Sequence, residues 1–465
     1  MQYVALAIRK AATSIVLIVI VACAFRVVFA WDYARQRPRQ ALSVIPFLFE
    51  SGNIAHSVAV GKGFSSPFRV DTGPTAWTTP VYPLFLAGLM RLFGPYTFHS
   101  WLAAVAANIL FSSLSAIPVY FVGKRIGGVG LGAAAAWLWA IFPNAILLSY
   151  ESLWETCLSA LLGAALLWAT LRVADSRRLR PWCWYGLLWG VALMSNAALL
   201  ALAPFLFGWA LWGQGFGPTA GLRPGAEADG RLRAGRKAGG GPEGPTPLHN
   251  GLIAAAIALA CCIPWTIRNY AVFGSFVPLR STLGLQLWVG NNPKAKVIWL
   301  GEQHPIHDTA ERESYLQSGE IAYMRQKEHD AIQFMLTHPM HEAELISGRF
   351  ISFWAGGTPS PIRDFLRNRS AWFRYVLLFN IAVSLGTLLG IIIMIRQRSV
   401  YTVPLAVFPV VFPWAYYLTL SLPRYRHAID PILMLLTAIA LKQALARTPV
   451  PPLHGIDRSK YKELQ

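Results

Sequence analysis

Residues 12–31 read ATSIVLIVIVACAFRVVFAW, after Arg9-Lys10 and before a charged stretch at Asp32–Arg39. A bilayer core about 30 Å thick is crossed by roughly 20 apolar residues in a helix, and this run has that length. Basic residues before an apolar run also begin secretory signals, but no small-residue cleavage site precedes the charged stretch. The run is therefore expected to be a retained membrane anchor. The whole chain agrees: of 465 residues, 55% are hydrophobic and only 14% charged. Soluble domains carry about 25% charged residues, which argues against a soluble enzyme. Eighteen Trp and sixteen Tyr fit aromatic belts at the membrane surfaces.

Further apolar runs lie near 100–122, 128–148, 155–173, 182–195, 197–213, 251–268, 372–395, 401–419 and 430–446, giving about ten spans. The net charge of +19 then becomes a statement about topology. Arg9/Lys10, Lys124/Arg125, Arg177/Arg178/Arg180, the basic 214–250 loop, Arg396/Arg398 and the basic C-terminus all fall on one side, which the positive-inside rule assigns to the cytoplasm. Both termini are then cytoplasmic, and nucleic acid is not an expected partner. The expected organisation is an N-terminal membrane domain (1–269), an extracytoplasmic helical domain (270–371), and C-terminal membrane helices with a cytoplasmic tail (372–465). The first unit carries the outer loop 32–99 and a Gly-, Pro- and Arg-rich loop at 214–250, expected to be disordered. Helical periodicity runs from Glu311 to Trp354 through Tyr315, Ile321, Met324, Ile332 and Met335, with a break at His338-Pro339. The five cysteines sit in apolar runs without Cys-x-x-Cys spacing and read as small hydrophobes.

Ionisable residues beside spans are the places to look for chemistry. Glu50 is a lone carboxylate in Phe47-Leu48-Phe49-Glu50-Ser51-Gly52, where desolvation would raise its pKa towards that of a useful base. Asp32 follows the first span directly and competes for that role; Asp71 sits in a Gly/Pro-flanked turn, where Asp is common. Glu151 and Glu155 are four apart between the third and fourth spans and, if helical, share a face. Glu155 also suits a helix N-terminus. Arg268, Arg424 and Arg426 lie on the outer side, against the positive-inside bias, and planar guanidinium groups suit a phosphate. His304-x-x-His307 is the nearest approach to a metal-ligand spacing and lacks further ligands. No Walker A loop, dinucleotide-binding glycine motif or Gly-x-Ser-x-Gly elbow occurs.

Taken in order, these residues resemble the GT-C glycosyltransferases, in particular the family 39-like group with the protein O-mannosyltransferases and the aminoarabinose transferase of lipid A. The resemblance rests on Glu50 in the first outer loop, then Gly61-Lys62-Gly63-Phe64, then Gly73 to Pro83 with Tyr82, and Leu92-Phe93-Gly94. It continues with Glu155 at the outer start of span four and Arg424-Tyr425-Arg426 before the last span. Known members carry Asp, often an Asp-Glu pair, in the first loop, where this chain has Glu50 alone. The resemblance implies an all-α integral membrane fold: a GT-C-like bundle of about ten helices with an extracytoplasmic first loop and a small outer helical domain. It implies a polyprenyl-phosphate sugar as donor, used outside the cytoplasm, and a hydroxyl of a lipid, glycan or protein as acceptor. Glu50 would act as base, with inversion, and Arg268, Arg424 and Arg426 would bind the donor phosphate. Glu155 would orient the acceptor, assist proton transfer or hold a divalent ion. Asp32, Asp71, Glu151, Tyr82 and Tyr425 are secondary candidates. A transporter or flippase of lipid-linked sugars and a non-catalytic scaffold of the same architecture are the alternatives.

Overall fold

A computed structural model of the protein describes residues 10–215, 247–299, 301–368 and 370–447. Arg9, most of the 214–250 loop and the basic C-terminal tail lie outside the described residues. Among those described, the secondary structure is helical, with one isolated bridge between Ser65 and Pro74. Five helices are long and apolar enough to cross a membrane: Ile15–Arg35, Phe98–Gly127, Thr156–Val173, Leu248–Phe273 and Ala371–Arg396. Leu179–Ser195 and Asp430–Arg447 accompany them, with the shorter apolar helices Val129–Ala140, Ala197–Trp212 and Thr402–Leu418.

Where the expected spans are interrupted, proline accounts for two of the breaks. The run at 128–148 stops at Ala140 and restarts as Pro143–Leu147, with Pro143 at a first-turn position where its missing N–H costs nothing. The run at 401–419 divides into Thr402–Val411 and Trp414–Leu418 around Pro413. The sixth span opens as a 3-10 turn, Ala197–Leu202, capped by the Asn196 side chain, which accepts from the Ala198 N–H at 3.0 Å.

The first outer loop folds into three α-helices and a 3-10 turn, Ile45–Phe47. Arg39–Val44 and Glu50–Ala59 are short, and Val81–Phe93 is an apolar helix of 13 residues. At 1.5 Å per residue that last helix covers only about 20 Å, too little to cross a bilayer. It buries Tyr82, Leu86 and Met90, one turn apart, while Leu84 and Leu92 stay exposed on the opposite side. The outer segment contributes Leu283–Gly290, Thr309–Ser318, Glu320–Thr337, Pro339–Ala355 and Pro361–Arg367. The expected break falls at His338, between two of these helices. Tyr315 and Met324 of the expected apolar stripe are buried, whereas Ile332 is 43% exposed.

Three apolar cores follow from this chain path. The largest runs through the membrane bundle around Trp139, Trp182 and Trp189. A second packs Tyr82, Leu86 and Trp101 beneath the first loop. The third joins Phe64, Phe68 and Trp77 of that loop to Leu285, Tyr315 and Tyr323 of the outer segment. One charge escaped the sequence reading. Arg26, inside the first span, is fully buried and donates to Ser112 Oγ at 2.9 Å and to the carbonyls of Ala22 and Ala140. Hydrogen-bonded donors make a buried guanidinium tolerable, and here they tie the first span to its neighbours.

Candidate active site

A cavity of about 480 Å³ opens where the first outer loop, the outer segment and one set of span ends meet, within the range of small-molecule sites. Glu50, Tyr82, Glu155, Arg280, Arg424 and Tyr425 line it. The described basic loops at Lys124/Arg125, Arg177–Arg180 and Arg396/Arg398 connect the other ends of the same helices.

Glu50 opens the helix Glu50–Ala59 and is 8% exposed. Burial pushes its carboxyl above the ordinary carboxylate range, and nearby Glu155 adds to this; the helix backbone and Arg424 act in the opposite sense. Its Oε2 is buried without a hydrogen-bond partner, and its Oε1 lies 3.4 Å from His304 Nε2. Glycine two residues on makes the placement work: a Cβ on Gly52 would collide with the Phe47 carbonyl oxygen, so only glycine lets the preceding turn lie against this helix. Asn53 then fastens the helix to the loop, donating to the Pro67 carbonyl at 3.0 Å.

Glu155 sits at the N-cap of Thr156–Val173 without capping it, half-buried at the cavity wall. The expected shared face with Glu151 does not form, because 151–155 is not helical, and Glu151 is exposed away from the cavity. Tyr82 lines the cavity while its hydroxyl donates to Asn108 Oδ1 at 3.1 Å. Tyr425 stacks on Tyr416, ring centroids 4.7 Å apart.

The three arginines grouped by sequence separate in space. Arg424 lies with its guanidinium 3.9 Å from the centroid of the Trp154 ring, at the cavity. Arg426 is 2% exposed and points into the bundle, where it pairs with Asp430 at 2.8 Å and also bonds Asn380 and the Trp354 carbonyl. Both belong to the 3-10 turn Pro423–Ala428. Three residues per turn send side chains two apart in different directions. Arg268 is spent on the first loop, donating to the carbonyls of Thr75 at 2.6 Å and Phe64 at 2.7 Å. Asp32 bonds Arg35 and Gln36 at 2.8 and 2.7 Å on the surface. Asp71 is exposed, and the Lys62 ammonium at 2.8 Å lowers its pKa. Neither lines the cavity.

Two residues at the site were not singled out from sequence. Arg280 follows Pro278-Leu279 and supplies a second cation at the cavity wall. His304, weighed only as a metal ligand, reaches Glu50. Among the described residues, no group of three His, Cys, Asp or Glu comes together as a metal site.

Comparison with known proteins bears on this arrangement. Residues 77–219 match the family model described as dolichyl-phosphate-mannose-protein mannosyltransferase. No curated protein matches the chain at a significant level. The oligosaccharyltransferase of Archaeoglobus fulgidus in its apo form aligns with a TM-score of 0.51 at 11% identity, over 93% of this chain and 50% of that one. The same archaeal enzyme, AglB, solved with an inhibitory peptide and a dolichol-phosphate, gives the same TM-score, identity and coverage. The chain thus spans about half the length of the oligosaccharyltransferase whose fold it shares. The fold is that of the archaeal oligosaccharyltransferase, and residues 77–219 match the mannosyltransferase family model, in line with the resemblance to the GT-C glycosyltransferases.

Proposed function

We propose that the protein is an inverting glycosyltransferase that moves a sugar from a polyprenyl-phosphate donor to a hydroxyl of a lipid, glycan or protein. The observation that carries this is the meeting of a buried carboxylate having one unpartnered oxygen with two cavity-lining guanidinium groups, Arg280 and Arg424. The acceptor hydroxyl gives its proton to Glu50 as its oxygen bonds to the anomeric carbon. The bond from that carbon to the phosphate oxygen breaks, and its electron pair leaves on the phosphate. One displacement inverts the centre. Arg424, seated over the Trp154 ring, and Arg280 stabilise the charge that grows on the leaving phosphate. Glu155, on the same wall, orients the acceptor. Arg268 and Arg426 act through structure, by fastening the first loop and the 423–428 turn.

The gathering of the described basic loops at the end of the bundle away from the cavity supports a reading in which both termini are cytoplasmic and the cavity lies outside. A donor anchored in lipid suits a cavity at span ends. The 480 Å³ space has room for a sugar and its phosphate. The decisive experiment supplies purified protein in detergent with polyprenyl-phosphate sugars and candidate acceptors. Release of free polyprenyl phosphate coupled to acceptor modification supports the reading. Retention of that activity in Glu50→Gln removes Glu50 as the base.

A further inference from the structure

His304 belongs to the outer segment, over 250 positions along the chain from Glu50, yet its ring reaches into the first loop. The ring is 3% exposed and packed edge-to-face against Trp77 and Trp299, each with centroids 5.5 Å away. Its two nitrogens have different partners. Nδ1 accepts a hydrogen bond from the Ile306 backbone N–H at 3.2 Å. Nε2 faces Glu50 Oε1 at 3.4 Å. An imidazole nitrogen that accepts from a backbone N–H carries no proton of its own, so the single proton of the neutral ring sits on Nε2.

We propose that His304 is a positioning residue: a neutral imidazole of fixed tautomer that donates from Nε2 to Glu50 Oε1 and leaves Oε2 as the oxygen that takes the acceptor's proton. The inference rests on the reading of Glu50 as base. The unpartnered state of Oε2 is its complement, since one carboxylate oxygen faces the ring nitrogen and the other has no hydrogen-bond partner. At 3.4 Å the contact is longer than a finished hydrogen bond, as catalytic contacts often are before substrate tightens them.

The charged and titratable groups around the pair are His307, Arg424 and Glu155. Burial, His307 and Arg424 together hold the His304 ring near pKa 3, so it stays neutral wherever Glu50 is ionised. His304 therefore supplies a dipole rather than a charge. A cationic ring there would form a salt bridge and depress the base. A neutral donor orients the carboxylate and leaves more of its basicity intact.

A substrate-free test reads this directly. Dicyclohexylcarbodiimide modifies protonated carboxyl groups in apolar surroundings, and peptide mass spectrometry locates the adduct. Full-length protein in detergent is labelled across a pH series, with Glu50→Gln identifying the Glu50 adduct. Loss of a donor to the ionised form should raise the midpoint of Glu50 labelling in His304→Ala by about one pH unit. His304→Gln, whose side-chain amide N–H can reach the same oxygen, should stay near wild type. Where the alanine variant does not fold, His304→Asn, one methylene shorter and out of reach, takes its place. An unchanged midpoint in the donor-free variant overturns the proposal, and so does an equal shift in His304→Gln. Glycosyl transfer that survives Glu50→Gln defeats the base assignment instead, and the labelling shift is independent of that outcome.

Discussion

Two carboxylates, Glu50 and Glu320, are buried to nearly the same degree, 8% and 5% exposed, and both join the first outer loop to the outer segment. Their surroundings are opposite. Glu320 accepts from Thr75 Oγ1, from the Ala76 N–H at 2.8 Å, from Ser281 Oγ at 2.7 Å and from Tyr315 OH at 2.8 Å. At Glu50, Oε1 has His304 Nε2 at 3.4 Å and Oε2 has no hydrogen-bond partner. Burial of a charge is costly in either case, but four donors repay it at Glu320 and too few do at Glu50. On the proposed reading, satisfaction rather than burial separates a carboxylate that holds the fold from one that takes a proton.

That contrast can be broken experimentally. The largest effect is expected for Glu50→Gln, which should lower transfer by about a thousandfold with little change in folding, measured as kcat/KM on a polyprenyl-phosphate sugar. Glu320→Ala should do the reverse. It strands four donors and should cost about 3 kcal/mol or more of stability, read as a fall in the melting temperature of the detergent-solubilised protein. Equal loss of stability in both variants would erase the distinction. Arg424→Ala removes a cavity guanidinium without touching the Arg426 anchor, and should lower kcat/KM about a hundredfold while the melting temperature holds.

A smaller expectation concerns pH. A base must be ionised to work, and burial raises the Glu50 pKa, so activity should fall as pH drops through a midpoint above the usual carboxylate value. The smallest effect follows by linkage. A carboxyl with a raised folded-state pKa binds its proton more tightly when folded, so stability is lost as pH rises from the unfolded towards the folded value. Glu50→Gln, always neutral, escapes that loss and should melt about 1–3 °C higher at pH 7. No such gain is expected from Glu320→Gln, which disturbs a saturated acceptor.

The membrane bundle was legible because length and apolarity alone specify a span, and proline breaks such as Pro143 and Pro413 are written in the chain. Glu50 stood out for a similar reason, as one charge in an apolar neighbourhood. The arginines were not legible to that depth. Arg268, Arg424 and Arg426 share residue type, side and proximity to spans, and only the direction of a 3-10 turn and the carbonyls within reach tell them apart. Periodicity misled at Glu151 and Glu155, where a spacing of four carries meaning only if the backbone is helical. His304 and Glu320 were hidden by sequence distance. Each acts on the first loop from the outer segment, and no local pattern announces a partner more than 200 positions away.

The turn at Pro423–Ala428 bears on how this cavity could be altered by evolution or by design. Arg426 anchors the backbone from behind, through Asp430, Asn380 and the Trp354 carbonyl, so the path of the turn is set independently of the side chains it presents in front. Positions 424 and 425 thereby face the cavity from a fixed mount, where a substitution changes the cavity wall without moving the backbone. A change at 426 would move the mount itself. Libraries aimed at new donors or acceptors should vary position 425, keep Arg424 and leave the anchor untouched.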